Sequence, residues 1–311
     1  MKLTTEIDIT PSTHRIHPRD TMVLMGSCFA QEMGAWFKSH RFSLCLNPNG
    51  IIFHPSVLAR IIHRALENRP YDDSEWIEHN ARFHSVDHHG SFSRMDANEL
   101  AEAVNFSQHN LRAALLNASS LIITWGSAWG YKWNENGQWV ANCHKIPQQH
   151  FSKELIEAAA IEAEWMEVLK LLWQHNPKLN VVFSVSPVRY WRDGAHGNQL
   201  SKANLLIAAS RLAATFSNVH YFPAYEIILD ELRDYRFYAS DLLHPSPVAV
   251  EYVIEKFQVM FFAEETKNYV RALEPLLKFI SHRPLHVSNE EWSERCAEKE
   301  QVILQLVHSM K

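Results

Sequence analysis

Short apolar runs alternate along the chain with stretches in which apolar residues recur every three or four positions. Runs this short and this apolar are typical of strands buried on both faces, whereas the three-to-four-residue recurrence is typical of helices. The runs predict five strands, at residues 21–25, 42–46, 121–125, 180–186 and 219–222.

The recurrent patterns between these runs predict helices. In residues 29–38, for example, Phe29, Met33 and Phe37 share one helical face. A later helix ends at Asn176, because the residue before a proline disfavours the helical conformation. Further helices are predicted at residues 55–66, around residues 100–115, from about Lys153 to Asn176, at 201–216, and at 248–261 after an N-cap Ser246 and a first-turn Pro247.

Two stretches and the tail lack the strand–helix pattern. Residues 71–98 are polar and rich in His and Asp, and we interpret them as a long loop. Residues 126–151 are interpreted as irregular, with Asn136-Gly137 as a turn or hairpin tip. The tail 262–311 is charged and helical, and Ser288-x-x-Glu291 fits a capping box.

The alternation of strands and helices indicates an α/β sandwich built on a parallel sheet. In such sheets, functional sites gather at the carboxyl ends of the strands. With 311 residues, the chain has room for one large domain and an appendage. We therefore predict a main domain over residues 1–262 and a helical C-terminal extension over residues 263–311, which is also a candidate surface for oligomerisation.

The composition of the chain limits which partners it binds and which cellular compartment it suits. Thirty Lys and Arg against 35 Asp and Glu give a net charge of −5, which does not attract nucleic acid or anionic lipid. No apolar run approaches the roughly 18 residues of a membrane helix, and the first 20 residues lack the apolar stretch of a signal peptide. Four scattered cysteines without a CxxC pair suit a reducing cytoplasm. We expect a cytoplasmic protein that acts on a small molecule.

A serine stands directly between the first strand and the first helix, in Gly26-Ser27-Cys28-Phe29-Ala30. There its hydroxyl points out from the end of the sheet, and the helix N-terminus offers N–H groups and a positive dipole to a developing oxyanion. The alternative is an ordinary N-cap serine. Cys28 is a second open question: its thiol either is activated at the helix start or fills a small buried space away from the site.

A carboxylate and an imidazole lie three residues apart in Asp241-Leu242-Leu243-His244-Pro245, just before the last predicted helix of the α/β core. This spacing lets Asp241 reach Nδ1 of His244 while Nε2 faces outward, as a hydroxyl nucleophile requires of its base. The alternative is a turn-capping aspartate beside a histidine that is satisfied elsewhere. With 19 histidines in the chain, chance matches to this spacing are frequent.

The segment GSCFA at residues 26–30 is the name-giving motif of the GSCFA family, a branch of the SGNH (GDSL-like) hydrolase superfamily. Other segments resemble the family's further blocks in the same order, among them NPNGIIFHP (47–55), ANCHKIP (141–147), SVSPVR (184–189), SK (201–202) and DLLHP (241–245). The resemblance covers about residues 20–260. It implies a flavodoxin-like three-layer α/β/α fold and a serine ester hydrolase that works through an acyl-enzyme. By analogy, the substrate is a small acyl ester, such as an acetyl group on a sugar.

The resemblance also implies residue roles. Ser27 is the nucleophile, His244 the general base, and Asp241 the carboxylate that orients His244. The backbone N–H groups of Ser27 and Gly50 form the oxyanion hole. The superfamily's third donor, an asparagine after the third strand, is missing from Gly126-Ser127-Ala128-Trp129, so Asn142 either replaces it or caps a loop.

Asn47, His144 and Arg189 are candidates for substrate contacts. Arg189 follows the fourth strand, where it would clamp an anionic substrate group or the Asp241 loop, or form a structural ion pair. No organic cofactor is expected. No metal is expected either: the cluster of His84, Asp87, His88 and His89 resembles a metal site in composition, but adjacent residues rarely bind one ion.

Two other functions remain open from the sequence. An acyltransferase would use the same three residues, with a sugar hydroxyl in place of water. The other is a binding protein that kept the scaffold without catalysis. The missing asparagine donor in Gly126-Ser127-Ala128-Trp129 favours this function.

Overall fold

The computed structural model describes residues 4–282 and 288–309 of the chain. The elements, in chain order, are β1 (Thr21–Gly26), α1 (Cys28–Ser39), β2 (Ser43–Leu46), α2 (Pro55–Leu66), β3 (Trp76–His79), β4 (Arg82–Ser85), α3 (Ala97–Asn117), β5 (Ser120–Trp125), β6 (Trp129–Trp133), β7 (Trp139–Val140), β8 (Phe151–Leu155), α4 (Ala158–His175), β9 (Asn180–Val185), α5 (Gly194–Thr215), β10 (Val219–Phe222), α6 (Ala224–Glu226, continued by a π-helix over Ile227–Leu232), α7 (Pro247–Phe261), α8 (Glu264–Ser281) and α9 (Asn289–Ser309).

The central sheet has five parallel strands in the order β10-β9-β5-β1-β2. The chain enters the sheet at the interior strand β1 and adds β2 at one edge. It then crosses to the other side of β1 and adds β5, β9 and β10 in turn. This is the doubly wound order of flavodoxin-like proteins, in which the crevice between oppositely wound halves lies at the carboxyl ends of β1 and β5. The predicted fold class is confirmed.

Successive residues of the central strands face two separate apolar cores. Met22 and Leu24 of β1 pack with α1 and α7, whereas Val23 and Met25 pack with α2, α4 and α5 on the other face. All four side chains are at most 1% exposed. Burial on both faces explains why each strand reads as an uninterrupted apolar run rather than an alternation.

The predicted loop over residues 71–98 contains a β-hairpin, formed by β3 and β4, with irregular chain and short turns on either side. Strands β3 and β4 pair in antiparallel fashion, with Trp76 opposite Ser85. The hairpin packs on α3, where Tyr71, Leu100 and Val104 form a small separate cluster. The prediction was wrong because short strands with many charged positions carry little hydrophobic signal.

The predicted irregular stretch over residues 126–151 holds most of a second, three-stranded sheet in the order β7-β6-β8. Its β6, Trp-Gly-Tyr-Lys-Trp, has the alternating pattern of a half-buried strand. Gly137 sits in the β6–β7 connection with φ of 69°, as the predicted turn requires. Lys153 belongs to β8, so α4 starts at Ala158 rather than near Lys153.

The C-terminal helices contact the main core. Tyr269 and Leu273 of α8, with Ile303 of α9, belong to the same apolar cluster as α1 and α7. The Tyr269 hydroxyl donates a 3.0 Å hydrogen bond to the His40 carbonyl at the end of α1. The Ser288 hydroxyl accepts a hydrogen bond from the Glu291 N–H, which is one half of the predicted capping box. Among the described helices, none combines the length and apolar character needed to cross a bilayer.

Candidate active site

The turn after β1 depends on a glycine. Gly26 has φ of 141°, and a Cβ at this position would lie 2.2 Å from the Thr124 carbonyl oxygen of β5. Only glycine therefore allows β1 and β5 to approach so closely here. The chain then turns directly into α1, which places Ser27 at the carboxyl end of β1.

The Ser27 hydroxyl is buried and has no hydrogen-bond partner among the described residues. Ser27 is 3% exposed and occupies the N-cap position of α1, but its side chain does not cap the helix. No other described protein atom lies within hydrogen-bonding distance of its Oγ. An N-cap serine normally accepts a hydrogen bond from the first turn, so this orphaned hydroxyl requires another explanation.

Asp241 and His244 are joined side chain to side chain. The His244 Nδ1 and the Asp241 Oδ2 lie 2.6 Å apart. The Asp241 Oδ1 also accepts hydrogen bonds from the backbone N–H groups of His244 and Leu243, at 3.0 and 2.9 Å. Chiefly these backbone bonds, and then the imidazole, lower the pKa of Asp241 to about 2. The carboxylate is therefore ionised and fixed in orientation, which leaves Nε2 of the imidazole available.

Arg189 contacts the same loop. Its backbone N–H donates to the Leu243 carbonyl at 3.0 Å, and its Nη1 donates to the Leu242 carbonyl at 3.2 Å. The guanidinium also stacks over the ring of Trp191, 4.3 Å from its centroid. Of the roles considered for Arg189, this geometry corresponds to a clamp on the Asp241 loop.

Ser27 and His244 line one cavity of about 350 Å³. Within the described structure no hydrogen bond joins the two side chains, and the Oγ of Ser27 stays unpaired. Most of the surrounding surface is apolar, which suits the acyl part of an ester. The cavity is lined by Ser27, Cys28, Ile51, Phe53, Gly126, Ser127, Ser186, Val188, Arg189, Tyr190, Trp191, Arg192, Leu243 and His244.

Cys28 is also one of the residues that line this cavity. Burial raises the pKa of its thiol, although nearby N–H groups of Phe29 and Cys28 act in the opposite direction. A raised pKa disfavours the thiolate, which is the reactive form of cysteine. The geometry thus places the thiol at the site but gives it no activation.

Lys202 lies beneath the cavity and was missed in the sequence. Its Nζ donates 2.7 Å hydrogen bonds to the carbonyl oxygens of Gly126 and Ser186. The side chain is 1% exposed, and burial lowers its pKa to about 7. A usable signal was present: Lys202 is in helical phase with Leu205, Ala209 and Leu212, so a charged residue occupies the buried stripe of α5.

Asn47 and Gly50 lie in the turn after β2. The Asn47 side chain accepts from the Gly26 N–H and donates to Gln31, at 2.9 and 3.0 Å. The Gly50 N–H donates to the Asn47 carbonyl at 2.8 Å. Neither residue lines the cavity, although Asn47 holds the turn that presents Ser27.

Asn142 and His144 lie beside the β3–β4 hairpin. The Asn142 Oδ1 accepts from the His144 N–H at 2.8 Å, and the His144 Nε2 lies 2.8 Å from the Ser85 carbonyl. Burial lowers the pKa of His144 to about 4, so its ring is neutral. Neither side chain reaches the cavity in this structure, and Asn142 caps its own loop.

The His-rich segment is a buried polar network. The Asp87 carboxylate accepts hydrogen bonds from Arg60 and from the Tyr71 hydroxyl, and the His88 ring bridges Ser85 and Asn49. Burial lowers the pKa of His88 to about 4. In the part of the chain that the structure describes, no three His, Cys, Asp or Glu side chains are grouped to hold a metal ion.

The fold and site together define a flavodoxin-like α/β protein with a serine and a histidine–aspartate pair at the carboxyl edge of its sheet. The family model described as the GSCFA family matches residues 21–257. The chain belongs to the GSCFA family, as the motifs indicated.

A solved structure titled "Clostridium thermocellum family 3 carbohydrate esterase" is similar at 10% sequence identity, with a TM-score of 0.37. The match covers 81% of this chain and 98% of that chain. No curated protein matches the sequence.

Proposed function

We propose that this protein is a serine ester hydrolase of the SGNH type. Ser27 attacks the acyl carbonyl, His244 takes the hydroxyl proton at Nε2, and Asp241 holds the imidazolium that forms. The alcohol leaves with that proton, and water then releases the acyl group from Ser27. The substrate class is a small acyl ester, with an acetylated carbohydrate as the leading candidate. The proposed location is the cytoplasm, since all four cysteines are unpaired thiols.

One observation carries this proposal: Ser27 and the Asp241-bonded His244 line the same cavity, and the buried Ser27 hydroxyl has no hydrogen-bond partner among the described residues. A buried hydroxyl without a partner is unfavourable in a purely structural role. Beside a cavity that an oriented imidazole also lines, the same hydroxyl gains a role as nucleophile. The remaining movement is a local closure of the His244 loop that brings Nε2 to Oγ, and unliganded sites are often looser than reacting ones.

The proposed oxyanion donors are the N–H groups of Ser27 and Gly50. In the structure the Ser27 N–H donates to the Thr124 carbonyl at 3.1 Å, and the Gly50 N–H closes the turn to Asn47. As negative charge develops on the acyl oxygen, each N–H group has to share its hydrogen bond with that oxygen or leave its present carbonyl acceptor. The amino end of α1, left without a side-chain cap, supplies further positive potential at the same point.

A fluorophosphonate probe tests the nucleophile. The folded protein should become labelled, and peptide mapping should place the label on Ser27. The label should be lost in Ser27→Ala and kept in Cys28→Ala, the matched control for the neighbouring thiol. Folded protein that is never labelled would refute the hydrolase. Product analysis with an acetyl ester and an added sugar acceptor then distinguishes hydrolysis from acyl transfer.

A second function is favoured by a specific observation. The Ser27 and Gly50 N–H groups are both engaged within the protein, and no amide replaces the missing third donor at the cavity. A binding protein that holds an ester or carbohydrate without cleaving it would have this arrangement. Binding of the acetyl ester with the same affinity by wild type and Ser27→Ala, without turnover by either, would establish this function instead.

A further inference from the structure

Lys202 ties together the two strand ends that form the wall behind Ser27. Gly126 directly follows β5, Ser186 directly follows β9, and both line the cavity. The Nζ of Lys202 donates to both carbonyl oxygens at 2.7 Å. Gly126 in turn packs against the nucleophile, since a Cβ at Gly126 would lie 3.4 Å from the Ser27 Cβ. The lysine therefore contacts the reacting residue through one intervening glycine.

The charge of Lys202 has no counter-ion. Among the described residues, no carboxylate lies within ion-pair distance of its Nζ. The titratable groups that face it are the Cys28 thiol of α1 and the Tyr225 ring of α6, whose centroid is 5.6 Å away. An ammonium has three N–H donors, and the two carbonyls account for two. A buried ammonium without a counter-charge is unfavourable, which points to a negative charge that appears only during function.

We propose that Lys202 is a positioning residue for the reaction at Ser27: it fixes the Gly126–Ser186 wall and supplies the positive charge that stabilises the oxyanion. This inference rests on the proposed ester hydrolysis. It also accounts for the missing asparagine donor in the segment Gly126-Ser127-Ala128-Trp129. Lys202 acts on Gly126, the first residue of that segment. Preorganised positive charge in a water-excluded site needs no reorganisation when the oxyanion forms.

The ionisation of Lys202 then couples to the chemistry. Burial lowers its pKa to about 7, so near neutral pH the amine is close to half protonated. Negative charge on the acyl oxygen favours the protonated amine, and by linkage the protonated amine favours the charged acyl oxygen. Turnover should therefore decline as pH rises through the pKa of Lys202.

Kinetics of a near-isosteric variant test the role. Lys202→Met should lower kcat by about 10- to 100-fold, less than the loss of a directly contacting oxyanion donor, with KM nearly unchanged. It should also remove the decline on the alkaline side of the wild-type pH profile. Asn204→Ala is the matched control: it removes a hydrogen bond to the Ala158 N–H from the same helix. The control should keep both kcat and the alkaline decline.

A second measurement does not depend on how Lys202→Met folds. A boronic acid, R–B(OH)₂, accepts an electron pair from the Ser27 Oγ, and the hydroxyl proton passes to His244. The product is a tetrahedral boronate anion at the position of the oxyanion. In ¹⁵N-lysine NMR spectra, with the Lys202 signal assigned from Lys202→Arg, boronate binding should raise the pKa of Lys202 by at least one unit. Ser27→Ala should show no such shift.

The outcomes are separable. A boronate on Ser27 that leaves the pKa of Lys202 unchanged overturns the role of Lys202 and leaves the hydrolase intact. An alkaline decline that persists in folded Lys202→Met does the same. If neither boronate nor fluorophosphonate reacts with Ser27, the proposed hydrolysis fails, and the role of Lys202 fails with it.

Discussion

The Arg189 guanidinium donates a hydrogen bond to the carbonyl oxygen of Leu242, in the middle of the loop that carries Asp241 and His244. Leu242 has φ of 59°, in the left-handed region that non-glycine residues rarely occupy. The loop therefore holds an unfavourable backbone conformation, which Arg189 stabilises from outside the loop and the Asp241 carboxylate stabilises from within it. Stacking on Trp191 in turn restrains the guanidinium.

Arg189→Lys should misplace the loop that carries Asp241 and His244 while preserving the charge. A lysine ammonium lacks the planar fork and stacks less well, so His244 loses its orientation toward Ser27. We expect kcat to fall by about 10- to 100-fold, the usual effect of a displacement near 1 Å in a catalytic group. Arg211→Lys, at an exposed ion pair with Glu162, is the control and should leave kcat unchanged. Equal activity of both variants would show that Arg189 does not hold the loop.

Ser27→Ala should separate activity from stability. Turnover is expected to drop by roughly 10⁴-fold or more, because the nucleophile is gone. The free energy of unfolding should stay the same or rise, since within the described structure the mutation breaks no hydrogen bond and removes a buried hydroxyl without a partner. Urea unfolding measures the second quantity.

Ser246→Ala is the opposite case and the control. The Ser246 hydroxyl caps α7 by accepting from the Ala249 N–H. Its loss should cost about 1 kcal/mol of stability while kcat stays at the wild-type value. If Ser27→Ala destabilised the protein as much as Ser246→Ala, Ser27 would be a structural cap.

The titration of Asp241 should reveal which contacts fix it. Its pKa is about 2, below the ordinary value of 3.8, so the ionised form is favoured in the folded protein. The contacts responsible stabilise the loop fully above about pH 4 and are lost as pH falls through about 2. In His244→Ala, the pKa should rise but stay below 3.8, because the two backbone N–H groups are the larger cause. A full return to 3.8, observed by carboxyl ¹³C NMR, would contradict this order of causes.

Asp87 should dominate the acid sensitivity of the hairpin region. Burial raises its pKa, but the Arg60 guanidinium outweighs this and holds the pKa below 3.8. The pair therefore stabilises the fold above about pH 4, and this contribution is lost as pH falls below that value. Asp87→Asn should destabilise the protein by about 3–5 kcal/mol, because it leaves a largely buried guanidinium without its partner.

The control for Asp87 is Asp73→Asn, whose exposed carboxylate accepts only from the Trp76 indole. Its free energy of unfolding should stay within about 0.5 kcal/mol of wild type. Thermal unfolding followed between pH 3 and pH 7 compares the two variants. A flat pH response of wild-type stability below pH 4 would show that the Asp87–Arg60 pair contributes little.

The central sheet was predictable because its strands are buried on both faces, and apolar runs such as LIITW report that burial directly. The two hairpin regions were not, because β3, β4 and β8 are partly exposed and their polar positions resemble a loop. The residues Ser27, Asp241 and His244 were nominated from motif and spacing, and the structure places Ser27 and His244 at one cavity, with Asp241 bonded to His244.

The contacts around those residues could not be predicted from the sequence. Asn142 and His144 follow the third strand of the central sheet, as substrate-facing residues would. Instead, Asn142 accepts from the His144 N–H, and the His144 ring contacts the Ser85 carbonyl of the β3–β4 hairpin, which was not predicted. A functional role for Lys202 was not predicted, because a lysine in a helix is usually exposed. Its burial depends on which face of α5 packs against the sheet.

Helix α1 begins at a residue whose side chain does nothing to secure it. An asparagine at position 27, a strong N-cap residue without a charge, would fill the empty cap and add about 1 kcal/mol of stability. It would also abolish the proposed nucleophile. Stability and the proposed chemistry therefore make opposite demands on position 27, and selection for heat resistance alone is expected to remove the proposed activity.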